Sequence, residues 1–104
     1  MGRNISHGTN QYGEMCRSYT TIGNLADQVA HVLPAADWRR LQPILKHGSG
    51  DPFDVPPHLA ASTAKLLRKA ADHRLMPAEW AEEAREMADA ADKAAARGEM
   101  WSWR

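Results

Sequence analysis

Apolar residues recur every three or four positions through most of the chain after residue 20, a spacing that places them on one face of an α-helix. Prolines and glycines divide this pattern into four blocks, because they end or begin helices. The predicted helices cover residues 21–33, 36–47, 57–74 and 77–97, with bounds good to about 2–4 residues. The sequence therefore predicts a mainly α fold, a small four-helix domain.

Individual residues suggest where these helices begin, bend and end. Thr20 or Thr21 can cap the first helix. Pro43 lies inside the second and removes a backbone donor, so we expect a kink there or two short helices. Gly48 is placed to end the second helix in a left-handed conformation, and Gly98 to end the fourth.

The inner faces of the predicted helices define a small core. Six residues are expected to be largely buried: Leu25, Val29, Leu41, Leu66, Trp80 and Met87. The inner stripe of the third helix is predicted to comprise Leu59, Thr63, Leu66, Leu67, Ala70 and Ala71. Many of the remaining apolar residues are alanines, which bury little area, so the four tryptophans should supply much of the core.

The two ends of the chain do not follow helical spacing. Arg3 to His7 can form a short strand, whereas residues 11–19 are interpreted as a loop. Trp101 and Trp103 are two positions apart, so an extended chain places both on one face and Ser102 on the other. We expect the two ends to pair as a short two-stranded ribbon that lies on the helices and leaves Ser102 exposed.

This organisation predicts a single helical domain over residues 1–104. It comprises an N-terminal extended or loop segment (1–19), a helical core (20–98) and a tryptophan-containing clasp (99–104).

The stretch from His47 to Pro57, HGSGDPFDVPP, has the composition of a bend between two helices. It lacks the lysine of a phosphate-binding loop and the regularly spaced acidic ligands of an EF-hand. We interpret Asp51 and Pro52 as the start of one short helical turn. Phe53 and Val55 are then expected to insert into the core.

Charge and composition restrict the partners. The chain has 13 basic and 13 acidic residues, so no global field attracts it to nucleic acid or anionic lipid. No apolar run approaches the roughly 20 residues of a membrane span. One cysteine, Cys16, excludes an internal disulfide and fits a reducing compartment, so we expect a cytoplasmic protein.

No residue spacing indicates catalysis or a bound metal. The five histidines and the cysteine lack metal-ligand spacing, and Ser49 lacks the motif of a nucleophile elbow. We therefore expect no metal, no cofactor and no enzymatic activity.

A non-catalytic protein-interaction module is the leading hypothesis, with an unidentified protein as partner and self-association left open. Its candidate contact residues are Trp101, Ser102 and Trp103 in the clasp and Asp51, Phe53 and Asp54 in the loop. The alternative is a nucleic-acid-binding regulator that uses the basic third helix, through Lys65, Arg68, Lys69 and Arg74. The acidic fourth helix argues against that alternative, because it would repel phosphate.

Several sequence blocks are similar to those of one known group of proteins. ISHG, VLPAADW, GSGDPF followed by VPP, LMPAEWA and the closing WSWR together resemble a family of small actinobacterial proteins with no assigned function. The resemblance implies a bacterial host, or a phage or plasmid of such a host, and implies no mechanism.

Overall fold

The fold is a four-stranded antiparallel sheet with helices packed on one of its faces. The computed structural model of the chain describes residues 2–7, 10–47 and 51–104, and for residues 10–14 the backbone alone. The elements in chain order are β1 Gly2–His7, β2 Asn10–Ser18, α1 Tyr19–Val32, α2 Ala35–Leu45, β3 Phe53–Val55, α3 Pro57–Ala71, α4 Ala78–Ala96 and β4 Trp101–Trp103. Helices α1 and α4 lie directly against the sheet, and α2 and α3 complete the helical layer.

All four predicted helices are confirmed, with ends within a few residues of those expected. The cap of α1 is Ser18, whose hydroxyl accepts a hydrogen bond from the Thr21 amide at 3.0 Å, so the prediction of a threonine cap was wrong. Helix α2 continues through Pro43 as one element, which excludes division into two short helices. The predicted role of Gly48 lies outside the described residues.

Gly98 ends α4 as predicted, with a left-handed φ of 66°. Its amide donates to the Ala95 carbonyl at 3.0 Å, and the Glu99 amide donates to the Ala94 carbonyl at 2.9 Å. This pair of bonds is a Schellman motif, which satisfies the last carbonyls of the helix. It also turns the chain back from α4 toward β4.

The predicted ribbon exists, but it is the centre of a wider sheet. Strands β1 and β4 pair antiparallel, with Ile5 opposite Trp103, and the strand order is β2-β1-β4-β3. Residues 11–19 were predicted to be a loop, yet β2 occupies most of them. The helical turn predicted at Asp51 and Pro52 is also wrong, because Phe53–Val55 forms β3 instead. Strand β2 lacks an alternating apolar pattern and β3 has only three residues, so pairing with a neighbouring strand holds each of them extended.

The two faces of the sheet differ in chemistry. On β1, Arg3, Ile5 and His7 point toward the helices and are buried, while Asn4 is exposed. The register of the strands places Trp101, Trp103 and Val55 on the same side as Ile5. The opposite, outer face is polar: it carries Asn4, Ser6, Cys16, Asp54 and Ser102.

The predicted core is only partly correct. Leu25, Val29, Leu41 and Met87 are fully buried, whereas Leu66 and Trp80 are half-buried and pack on the flank. The residues of α3 that are buried are Ala60, Thr63, Ala64, Leu67, Ala70 and Ala71. Alanines on α3 and α4 let the two helices approach closely, so the larger side chains of Leu59 and Leu66 lie outside the contact.

Candidate functional site

The clasp residues expected to contact a partner lie inside the protein. Trp101 and Trp103 are 0% and 1% exposed, and Ser102 is 7% exposed, so the prediction that Ser102 is solvent-exposed was wrong. The reason is that β4 is a central strand, flanked by β1 and β3. The two indole rings meet edge to face with centroids 5.1 Å apart. Among the described residues, neither indole N–H has a hydrogen-bond acceptor, so both tryptophans serve mainly as apolar core.

The candidate contact residues of the stretch from His47 to Pro57 make contacts within the chain that hold this stretch against the sheet. Phe53 stacks on Trp103 with centroids 5.5 Å apart, and the His47 ring stacks on Phe53 at 4.1 Å. The Asp51 carbonyl accepts a hydrogen bond from Arg3 at 2.8 Å. Asp54 is exposed on the outer face of the sheet and forms an ion pair at 3.3 Å with Arg104. These contacts give Asp51, Phe53 and Asp54 structural roles within the chain.

The basic residues of α3 do not form one free stripe. Arg68 forms ion pairs with Asp92 and, at 2.7 Å, with Asp89, both on α4. Hydrogen bonds from Arg68 to these two carboxylates raise the pKa of the guanidinium above its ordinary value. Lys69 forms an ion pair with Asp37 of α2 at 2.6 Å. These pairs reduce the positive charge that the third helix could offer to phosphate.

Lys65 and Arg74, the remaining two basic residues of the nucleic-acid hypothesis, are exposed. Lys65 lies in α3, whereas Arg74 lies beyond Ala71, where the helix ends earlier than the predicted residue 74. Among the residues that the structure describes, two of the four cations are thus ion-paired, and the other two have no ion pair and do not share one helix.

A concave apolar surface between α2 and α3 was not predicted from the sequence. It encloses about 390 Å³. We call it the α2–α3 groove, and its lining residues are Arg39, Arg40, Pro43, Ile44, Leu59, Ser62, Thr63 and Leu66. Leu59 is 46% exposed, although it was predicted to lie in the core. The groove therefore presents a large aliphatic side chain to solvent.

Two cations border this apolar surface. Arg39 and Arg40 are both exposed on α2. Within the part of the chain that the structure describes, no carboxylate lies within ion-pair distance of either guanidinium. The α2–α3 groove thus combines an apolar floor with a positively charged border.

The spacing of two leucines on α3 could have indicated this groove, but the same spacing is typical of core residues, and both were predicted to lie in the core. Leu59 and Leu66 are seven residues apart and share one face of α3, as core residues do. Their true position depends on how α3 is rotated about its axis, which is set by its contact with α4.

A second cavity lies on the other side of α2, between that helix, α1 and β1. It encloses about 330 Å³. Its lining residues are Arg3, Tyr19, Gly23, Ile44, Leu45, Lys46 and His47. We call it the α1–α2 cavity.

Among the residues that the structure describes, no group of three or more His, Cys, Asp and Glu side chains is arranged to hold a metal ion. In the same residues, no helix combines the length and apolar character needed to cross a membrane.

The sheet, the helical layer and the exposed α2–α3 groove define the class: a small, helix-rich domain with one helix-covered sheet. The chain belongs to the family described as "Domain of unknown function (DUF7739)", whose sequence model matches residues 8–104. No curated protein and no solved structure matches the chain.

Proposed function

We propose that this chain is a non-catalytic protein-interaction domain, an adaptor, inhibitor or regulator, and that the α2–α3 groove is its contact surface. The observation that carries the proposal is the exposure of Leu59 in a concave apolar surface bordered by Arg39 and Arg40, which have no carboxylate partner among the described residues. Folding does not require this arrangement, because a leucine at this position leaves apolar area in water. Binding a partner would remove that area from water.

The chemistry of the groove favours one kind of partner, an acidic amphipathic helix. The groove runs between two helices, and such surfaces bind the apolar face of a helical segment. Acidic residues on that segment would pair with Arg39 and Arg40 and would increase its rate of association. A nucleic acid would use the cations but would gain little from the aliphatic floor formed by Ile44, Leu59 and Leu66.

The resemblance to small actinobacterial proteins supports a bacterial setting for this function. We propose that the domain acts in the cytoplasm of such a bacterium, either uninfected or infected by a phage, where a small adaptor or inhibitor would meet its target.

Photo-crosslinking followed by titration tests the proposal. A photoreactive amino acid replaces Ser62, which lines the groove and is exposed, and the crosslinked segment from a host lysate is identified by mass spectrometry. The corresponding synthetic peptide is then titrated against the purified chain. We expect an acidic segment whose apolar residues recur at helical spacing, and its acidic-to-amide version should bind at least about tenfold more weakly.

Matched variants separate the groove from general surface effects. Leu59→Gln should weaken peptide binding at least about tenfold, since it removes a buried apolar contact. Leu75→Gln is the control, because Leu75 is 63% exposed and lies in the turn between α3 and α4. Arg39→Gln should weaken binding and reduce its salt dependence, whereas Arg74→Gln should not. Equal effects of Leu59→Gln and Leu75→Gln, or a crosslinked segment without acidic residues, would contradict the proposal.

A further inference from the structure

One side chain separates the two concave surfaces of the helical layer. Ile44 of α2 is half-buried and lines both the α1–α2 cavity, of about 330 Å³, and the α2–α3 groove, of about 390 Å³. At this position α2 therefore has open space on two sides. Atoms that line such space lack the packing contacts that fix a helix in a close-packed interior.

Helix α2 is also the helix with the fewest buried residues. It buries Leu41 and Leu45 alone, whereas α1, α3 and α4 bury five or six residues each. Elements with few buried apolar contacts move and open at a lower free energy than the rest of a domain. We therefore expect α2 to shift more readily than α3 and α4, which pack closely against each other through alanines.

The interactions along α2 hold the helix without fixing its position. Its first turn has no side-chain cap, and Pro43 removes one backbone hydrogen bond from its interior. Near its start, Asp37 pairs with Lys69 of α3 at 2.6 Å. Just after its end, Lys46 pairs with Asp27 of α1 at 2.8 Å. Both lysines are exposed and have long flexible side chains, so they can follow a small displacement of the helix.

The wall of the cavity opposite α2 contains a glycine that local packing does not explain. Gly23 lies within α1, where glycine is less favourable than alanine because it loses more backbone entropy on folding. A Cβ atom at this position would meet no atom within 4 Å, so the present packing has room for a side chain. Gly23 lines the α1–α2 cavity, and any larger residue would project into it. Glycine here keeps free the space into which α2 can move.

We propose that α2 is a movable wall that exchanges space between the α1–α2 cavity and the α2–α3 groove, so that the cavity regulates the groove. A shift toward α1 moves Ile44 into the cavity and widens the groove, and a shift toward α3 has the opposite effect. Each shift buries apolar area on one side while it exposes apolar area on the other, so the two positions are close in free energy.

This exchange of space couples the cavity to binding at the groove. A partner that fills the groove favours the wide position, and by reciprocity a group that fills the cavity lowers the affinity for that partner. The effect on a partner rests on the function proposed for the groove, whereas the movement itself does not.

Relaxation-dispersion NMR of isoleucine δ1 methyl groups measures the movement in the full chain without a partner. Collective shifts of helices occur in microseconds to milliseconds, the range to which this method responds. Ile44 should show exchange, whereas Ile5, which is 1% exposed in strand β1, should show none. A flat dispersion profile at Ile44, or equal exchange at both methyl groups, would overturn the proposal.

Substitutions that fill the cavity from the α1 side should stop the movement. Gly23→Leu should abolish the exchange at Ile44. Gly23→Ala adds a Cβ that meets no atom within 4 Å, so this variant should fold and reduce the exchange. Asn24→Leu is the control, because Asn24 is the next residue of α1, is exposed and does not line the cavity. Unchanged exchange at Ile44 in either folded Gly23 variant, or its loss in Asn24→Leu, would overturn the proposal.

Two further measurements connect the movement to the groove. In Gly23→Leu, the methyl shifts of Leu59 and Leu66 should change, although both residues line the groove on the other side of α2. The acidic peptide that binds the groove should bind Gly23→Leu at least about fivefold more weakly than the unmodified chain, and Asn24→Leu equally well. Unchanged methyl shifts or unchanged peptide affinity in Gly23→Leu would overturn the regulation of the groove by the cavity. Because the methyl measurements need no partner, this result is distinct from a failure of the groove to bind any peptide.

Discussion

Two adjacent leucines on α3 provide a direct test of how the helices pack. Leu67 is 0% exposed and lies in the core, whereas Leu66 is half-buried and borders the α2–α3 groove. Substitution of either by alanine removes the same atoms from the same helix. Leucine and alanine have similar helix propensities, so the difference between the two variants reports burial.

The expected magnitudes follow from that difference. Leu67→Ala deletes a fully buried side chain and leaves a cavity, which costs about 2–5 kcal/mol of the free energy of unfolding. Leu66→Ala removes a side chain that is partly in water already and that leaves an open surface, so we expect a cost near 1 kcal/mol, about half the value of full burial. Leu67→Ala should therefore lower Tm by at least about 8 °C in a domain of this size.

Urea denaturation of both variants measures this difference. The midpoint should fall much further for Leu67→Ala than for Leu66→Ala, with similar slopes if the unfolded state is unchanged. A cost for Leu66→Ala equal to or above that for Leu67→Ala would refute the observed rotation of α3. It would instead favour the arrangement inferred from the sequence, in which Leu66 belongs to the buried face of α3. The basis for the α2–α3 groove would then be removed.

Three further substitutions test other parts of the fold. Gly98→Ala should cost about 1–2 kcal/mol in thermal unfolding, because alanine is strained at a left-handed φ, and Gly98→Asn should cost less. Ser102→Asp should destabilise the sheet by more than about 1 kcal/mol, because it places a carboxylate directly opposite Asp54, whereas Ser102→Thr should be tolerated. Arg17→Gln should cost about 1–2 kcal/mol, since it removes the partner of the mostly buried Glu83. Burial lowers the pKa of Arg17, but hydrogen bonds and charge from Glu83 and a second carboxylate outweigh this effect, so the pKa is raised overall. The cost of Arg17→Gln should therefore be the same at about pH 7 and about pH 10. It should be lost only above the ordinary arginine pKa.

The helices were predictable because their signals are local. Pro57 begins α3 and Gly98 ends α4, each through a backbone property of the residue itself. The apolar spacing within each block sets the helical state without reference to any other element. The pairing of the two chain ends was predictable for a related reason, because Trp101 and Trp103 have the two-residue spacing of a strand.

The sequence pattern did not reveal strands β2 and β3. Strand β2 lacks an alternating apolar pattern, although it pairs with β1, its neighbour in the chain. Strand β3 has only three residues and is held extended by hydrogen bonds to β4, which is distant in the chain. Finding β3 therefore requires knowledge of the whole sheet. For the same reason, β4 was predicted to have an exposed side, although pairing on both edges places it at the centre.

By itself, the sequence determined the number, approximate bounds and order of the helices, and the extended state of both ends. Only the tertiary structure decided which faces are buried. Pattern analysis assigns leucine to the core, but α3 and α4 approach through alanines, because small side chains allow close contact between helix backbones. That contact rotates Leu59 out to the α2–α3 groove and keeps Leu67 inside. The candidate site is thus a result of helix packing, which depends on the shapes of both helices together.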